Sequence, residues 1–386
     1  MIKSEAHVFI VWSKGLEQRA KILTDIKSKF EIIKSINTTW SKNKFSENLS
    51  RFYGENLPKN SSKEKHCGTG TFLCIIVKDN NPQYELRETS KGIKPVNINM
   101  FDAKQCYRKW TGGGHKIHGS DNVSEAKSNI YLLFGTTYEN VLTSKEVGVE
   151  NSYANDLIGS QGWESLEEVF SAFNELANYV VLRNFTNIED ELKNLHPDID
   201  ILTDNKRLLV DISNGKPTYK DPKRVQYLVI INKQKVFFDF RFIGDNYYDF
   251  KWEQKILGSR RKLENMFIPD EENHFYSLMY HAFIHKEKVI SDYVMKLIEL
   301  SKKNGMNYSS TSFLNYDVLK DLNAFMMINN YDYVEPRDLT VFYNNKIIEP
   351  FKHVLLTNDR KSHEDFRAFK NLIKKVFKKL GIKLGK

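Results

Sequence analysis

Long hydrophobic runs are missing from this 386-residue sequence, and no apolar stretch approaches the roughly 18 residues that a membrane-crossing helix needs. Cysteine is scarce. Cys67, Cys74 and Cys106 are odd in number and lack metal-ligand spacing, which excludes a disulfide framework and leaves the expectation of reduced, ordinary thiols in a cytoplasmic protein. The opening Met1-Ile2-Lys3-Ser4-Glu5 runs directly into a polar segment, so no signal peptide is expected. Acidic residues are absent from 366–386, and part of the net charge of +9 therefore belongs to that tail rather than to a whole basic face. The charge and the interleaved Tyr and Lys suggest a nucleic-acid binder, but no RNP or KH signature is present, so nucleic acid is not the expected partner. What the chain does have is 40% hydrophobic and 13% aromatic residues, enough for a globular fold of two or three domains.

Two carboxylates stand out in His196-Pro197-Asp198-Ile199-Asp200-Ile201-Leu202, an otherwise apolar, β-prone run. In a strand, residues at i and i+2 share a face, so Asp198 and Asp200 are expected side by side. Without a cation they repel each other and one pKa rises, and a divalent metal relieves the conflict. Oxygen donors suit Mg²⁺ or Mn²⁺. A second strand-like run, 235–242, carries Asp239 among aromatic residues, where a charge is costly unless paired or metal-bound. The run Arg207-Leu208-Leu209-Val210-Asp211-Ile212 reads as another strand, so Asp211 competes with Asp239 as third carboxylate. Asp239 is preferred because Arg241 and the polar, aromatic run Gly244-Asp245-Asn246-Tyr247-Tyr248-Asp249 follow it; that run is either a substrate loop or an ordinary turn.

The region 165–250 resembles the nucleotidyltransferase superfamily of polymerase-β-like enzymes, in which a D-x-D on one strand and a lone Asp on another hold two metals. The Gly-Ser pair usual on the preceding helix is replaced by Val180-Val181-Leu182-Arg183-Asn184-Phe185, which leaves Arg183 and Asn184 to hold phosphate. The stretch 196–286, with Gly244-Asp245 and Tyr280-His281, is also similar to nucleotidyltransferase-like proteins of bacterial surface-polysaccharide clusters. The resemblance implies Mg²⁺ (or Mn²⁺) on Asp198, Asp200 and Asp239, with Asp239 completing the site or activating an acceptor hydroxyl. It implies an NTP or a CDP-linked donor and a small-molecule or glycan acceptor.

A second signature lies upstream. Lys116-Ile117-His118-Gly119-Ser120-Asp121-Asn122, followed by Ser124-Glu125-Ala126, resembles the active-site segment of nucleoside diphosphate kinases, in which the His relays a phosphoryl group. The resemblance implies that His118 is the phosphoryl acceptor, that Tyr53 positions the nucleotide, and that Arg87 and Thr89 hold phosphate. It departs where the family's strand-end Lys aligns with Ser13 (Lys14 is next), its second phosphate Arg with Asn99, and the Asn before its His with His115. Within the extra stretch 101–111, Arg108 or Lys109 replaces lost charge. Oligomers formed through this domain also follow from the resemblance.

Alternating strand and helix patterns, such as 7–12, then Ile22, Leu23, Ile26, Phe30 and Ile33 near 3.6 spacing, then 71–77, predict an α/β (α+β) protein. The implied organisation is a ferredoxin-type NDP-kinase-like domain over 1–140, a linker over 141–163, and a mixed-sheet nucleotidyltransferase-like domain over 164–250. A helical region with a small β appendage at Thr340-Val341-Phe342-Tyr343 covers 251–364, and a basic amphipathic helix covers 365–386. Helices are expected over 164–182, 123–134 and 271–288. His281 and His285, at i and i+4 in the last, read as a packed pair rather than a metal site. In the tail, Phe366, Phe369, Leu372, Ile373, Val376, Phe377 and Leu380 share one helical face with lysines on the rest, which suits either peripheral membrane contact or docking on the protein.

Three functions follow. The leading one is a Mg²⁺-dependent transferase that moves a nucleotidyl or phospho-alcohol group onto a hydroxyl; the rivals are phosphoryl transfer through a phosphohistidine, and a non-enzymatic nucleotide- or RNA-binding module.

Overall fold

A computed structural model describes residues 4–90, 92–144, 148–186, 188, 198–314 and 317–349. His196, Pro197 and the basic tail at 365–386 lie outside the described residues. The protein is mixed α/β and divides into two compact units: 1–177 with 207–215 and 230–234, and the remainder.

The first unit begins with β1 (Glu5–Val11), α1 (Arg19–Lys29), β2 (Glu31–Thr38), α2 (Phe45–Tyr53), α3 (Ser62–Cys67) and β3 (Phe72–Asp79). A hairpin of β4 (Tyr84–Thr89) and β5 (Gly92–Asn97) leads to α4 (Ile98–Trp110), β6 (Ile117–Gly119), α5 (Val123–Phe134), α6 (Tyr138–Thr143), β7 (Gly148–Tyr153) and α7 (Leu166–Leu176). The main sheet runs β6-β1-β3-β2-β7. β1 pairs antiparallel with both β3 and β6, and β2 antiparallel with β3. Because strand side chains alternate, β1 and β3 feed two cores: Val8, Ile10, Trp12, Cys74 and Ile76 pack on one face, and Phe9, Val11, Leu73, Ile75 and Val77 on the other. Such continuous apolar runs mark strands covered on both faces, and here α1 and α4 contribute to one core and α2 and α5 to the other.

Several expectations are corrected. Ile33 extends no helix; it lies in β2. Residues 141–163 are not a plain linker, since they hold β7, which adds to the sheet parallel to β2. The helix expected over 164–182 ends at Leu176, and the aromatic and β-branched run Tyr179-Val180-Val181 becomes β8 (Tyr179–Val181). Residues 207–212 are helical, within α8 (Lys206–Ser213), where Arg207 grips Asp211 at i,i+4 with both nitrogens at 2.7 Å. Most of that helix, 207–213, belongs to the first unit.

In the second unit, β8 precedes β9 (Asp198–Thr203), β10 (Lys216–Pro217), β11 (Gln226–Ile231) and β12 (Gln234–Phe242), which assemble as β10-β11-β12-β9-β8. After them come α9 (Phe250–Gly258), a small hairpin of β13 (Arg261–Leu263) and β14 (Met266–Ile268), α10 (Glu271–Ile284), α11 (Ser291–Lys303), α12 (Ser310–Leu314) and α13 (Asp317–Ile328). Their core is aromatic: Trp252 stacks on Tyr331 with rings 5.6 Å apart and 10° from parallel, and Tyr248, Tyr280 and Phe283 are buried around it. The helix expected over 271–288 stops at Ile284, with His285 as its cap. Residues 340–343 form no strand; Thr340 instead donates its backbone N–H and its hydroxyl to Asp338 in a turn. Among the described residues no helix is long and apolar enough to cross a membrane.

One buried cation ties together distant parts of the first unit. Arg51, 5% exposed, donates to the carbonyls of Ile158 (2.6 Å), Asp211 (2.7 Å) and Ile212 (3.0 Å) and to Ser160 Oγ (3.0 Å). Replacing it strands buried acceptors, so Arg51→Met is expected to cost about 3–5 kcal/mol in urea unfolding. An unchanged midpoint would show that these carbonyls find other donors.

Candidate functional site

The strand register creates the site in the second unit. β12 and β9 are parallel, with Asp239 paired to Asp200 and Phe237 to Asp198. Paired residues on neighbouring strands point to one face, so all three carboxylates emerge together. Asp200 is 5% exposed, whereas Asp198 opens its strand and is exposed. Desolvation, then the charges of Asp200 and Asp239, push Asp198 up to about 8. Because Asp198 is open to solvent, repulsion by Asp200 and Asp239 is the dominant cause. Burial, then Asp200, push Asp239 up to about 6.

Two guanidiniums compensate. Arg183, just after β8, donates from Nη2 to Asp200 Oδ1 at 2.5 Å. Arg241, two residues beyond Asp239 and therefore on its face, has Nη2 3.4 Å from Asp239 Oδ2 and Nη1 3.7 Å from Asp245 Oδ2. It lies 4.1 Å above the Tyr247 ring. Burial works against both charges, yet Asp200 holds Arg183, and Tyr247 and Asp245 hold Arg241, above the ordinary arginine value. Tyr247 in turn bonds through its hydroxyl to His281 Nδ1 at 2.6 Å, and His281 Nε2 meets the Tyr293 hydroxyl at 3.0 Å. His281 and His285 are buried, and burial followed by nearby cations keeps both well below the usual imidazole range.

The run 244–249 is both turn and support. Asp249 caps α9 by accepting from the Lys251 and Trp252 amides. Buried Glu253 accepts from the amides of Gly244 (2.6 Å) and Tyr248 (3.1 Å), which fixes the loop. Asn184 is at φ 59° and accepts from Lys296 Nζ at 3.0 Å. Asp211 sits in α8 of the first unit, bound to Arg207, and does not stand on a strand with the D-x-D. The support residues that sequence reasoning left without a role are Glu253 and Tyr247; the only signal for them was the polar, aromatic run in which Tyr247 lies.

The donor set suits a hard divalent cation, because the three carboxylates share a face and the charge of Asp200 helps to raise the pKa of both Asp198 and Asp239. A cage is not preformed: among the described residues no three His, Cys, Asp or Glu side chains are grouped to hold a metal ion, and Arg183 occupies Asp200 Oδ1.

In the first unit, His118 sits on β6, 4% exposed, with Nε2 2.8 Å from Asn129 Oδ1 on α5. The rings of Phe52 and Tyr53, at the end of α2, meet it edge-on at 4.9 and 5.4 Å. Gly54 (φ 62°) ends that helix in the left-handed conformation that favours glycine and turns the chain away behind Tyr53. Burial, above all, pulls His118 down to about 3. The rest of the motif is used in bonds of its own: Ser120 Oγ accepts from the Val8 amide, and Asp121 pairs with Lys104. Tyr53 accepts from Trp12 Nε1 at 3.0 Å, with Lys63 4.1 Å from its ring centre. Arg108 donates to the Ile117 carbonyl, and its charge helps to lower the pKa of both His118 and His115. His115 faces His66 at 5.6 Å. Arg87 and Thr89 are engaged within the β4–β5 hairpin, Arg87 with Glu85 at 2.9 Å and Thr89 with the Gly92 carbonyl at 2.7 Å. Asn99 donates to Asp79 and the Asn81 carbonyl.

Crowding of the carboxylates has a pH signature. Asp239 titrates near 3.9 when unfolded and near 6 when folded, so the native state binds that proton more tightly. Its contribution is fully present below about 4 and is lost as pH rises through 6. Asp239→Asn removes this loss, so the thermal midpoint of the variant relative to wild type is expected to climb between pH 4 and pH 8 in EDTA. Mg²⁺ at pH 8 should raise the wild-type midpoint and not the variant's. Parallel pH profiles would mean that Arg241 already neutralises the group.

No protein-family model matches this chain, and no curated protein matches it.

Proposed function

We propose that the second unit is a transferase that moves a nucleotidyl or phospho-alcohol group from a nucleotide donor to the hydroxyl of a small molecule or glycan. The observation that carries this reading is the register Asp200–Asp239 on parallel strands, with Asp198 on the same face and two arginines beside them. Asp198, Asp200 and Asp239 would hold Mg²⁺ or Mn²⁺, and the cation, when bound, would offset phosphate charge. Arg183 and Arg241 then serve as fixed cations, each buried and each paired to one of the carboxylates. Asp239, poised near neutrality, either completes the metal site or takes the acceptor's hydroxyl proton. We read the mixed sheet of this unit as nucleotidyltransferase-like.

For the first unit we read the sheet order β6-β1-β3-β2 as a ferredoxin-type, NDP-kinase-like arrangement. The burial of His118 beneath Phe52 and Tyr53 favours a packed imidazole there over a phosphoryl relay.

Asp200→Asn is expected to lower Mg²⁺-dependent transfer from α-³²P-labelled CTP to a glycan or phospho-sugar acceptor by about 100-fold or more while the circular dichroism spectrum is retained. Full transfer by a folded Asp200→Asn protein would end this assignment. Incubation with γ-³²P ATP and Mg²⁺ should leave no acid-labile label that depends on His118. A label lost in His118→Ala would restore the phosphohistidine.

A further inference from the structure

The second unit holds a cleft of about 260 Å³ that none of the roles above uses, between the turn before β11 and the turn at 338–340. Its wall is built rather than incidental. Arg224 lies 3.7 Å above the Tyr219 ring, and its Nε is 3.4 Å from Asp338 Oδ2. Asp338 is 4% exposed, and its other oxygen takes the Thr340 hydroxyl at 2.6 Å. Asp221 closes its own turn by accepting the Lys223 amide at 2.9 Å. The guanidinium is thus oriented from two sides, by a buried carboxylate and an aromatic face.

Charge and shape then select a ligand. Arg224 and Asp338 neutralise each other, and Lys220 and Lys223, both exposed, outweigh Asp221. Tyr219 and Leu339, 46% and 74% exposed, offer apolar surface beside those cations. The volume is below the roughly 300–1,000 Å³ of sites that enclose whole drug-sized ligands, so the cleft suits one end of a molecule.

We propose that this cleft is a subsite for the phosphorylated end of an organic phosphate, with the phosphate between Lys220 and Lys223 and the attached ring against Tyr219 and Leu339. Its role in transfer rests on the function proposed above, but its binding does not. Donor nucleotide and phosphorylated acceptor share this chemistry, and they are separable.

Isothermal titration of the full chain in EDTA, with cytidine 5′-monophosphate, glucose 1-phosphate and cytidine as probes, tests it. The two phosphates should bind with cytidine far weaker, and Lys220→Ala/Lys223→Ala should weaken the phosphates by about tenfold at low salt. A loss confined to the nucleotide makes the cleft the donor subsite, a loss confined to the sugar phosphate makes it the acceptor subsite, and a loss of both supports a shared phosphate site. Tyr219→Ala should weaken binding further without unfolding, because the ring is half exposed. EDTA strips any cation from the carboxylates, so failure of the carboxylate assignment leaves this test intact. No binding by wild type, or equal binding by the double lysine variant, overturns the proposal.

Discussion

The second unit depends on a single electrostatic problem, the placing of Asp200 and Asp239 side by side on parallel strands with Asp198 on the same face. Strand pairing is fixed by backbone hydrogen bonds and by the burial of Ile199, Ile201, Phe238 and Phe240, all on the opposite face. A one-residue slip of either strand would separate the acids, but it would also turn that strand's two apolar side chains out of the core. The hydrophobic pattern therefore enforces a charge arrangement that is unfavourable by itself, and Arg183 and Arg241 are the response to it. Each guanidinium is fixed by further contacts, Arg241 by Asp245 and the Tyr247 face, so the compensation reaches into α10 through His281.

This chain of dependence explains why so much aromatic mass surrounds the site. Tyr247 lies against both guanidiniums, 5.7 Å from Arg183 and 4.1 Å from Arg241, and Tyr248, Trp252 and Tyr280 are buried with it, so any unpaired charge there is costly. Glu253 and Asp249 hold the connecting loop in place from below. Such a buried polar network specifies one arrangement of side chains more than it adds net stability.

The first unit shows the opposite use of similar residues. Its His-Gly-Ser-Asp run is held by bonds within the unit: His118 to Asn129, Ser120 to the β1 backbone, Asp121 to Lys104. A motif reports residue types and spacing, and both are the same whether an imidazole faces solvent or lies under two aromatic rings.

Much of the fold was legible in the sequence. The runs 7–12, 71–77 and 235–242 are strands, 123–134 is a helix, and the D-x-D lies on a strand, because continuous β-branched and aromatic runs with period-2 acids have few other solutions. Short apolar runs misled: 207–212 reads as a strand by its apolar content but folds as a helix, with Arg207 and Asp211 paired at i,i+4. Likewise, residues 148–153 carry no strong pattern, and only an open sheet edge at β2 makes them a strand. By itself the sequence determined the strands at 7–12, 71–77 and 235–242 and that Asp198 and Asp200 share a face, since both follow from local pattern. Only the tertiary structure decided that Asp239 and not Asp211 joins them, that Arg183 and Arg241 oppose them, and that His118 is covered, because each depends on which distant segments pack together.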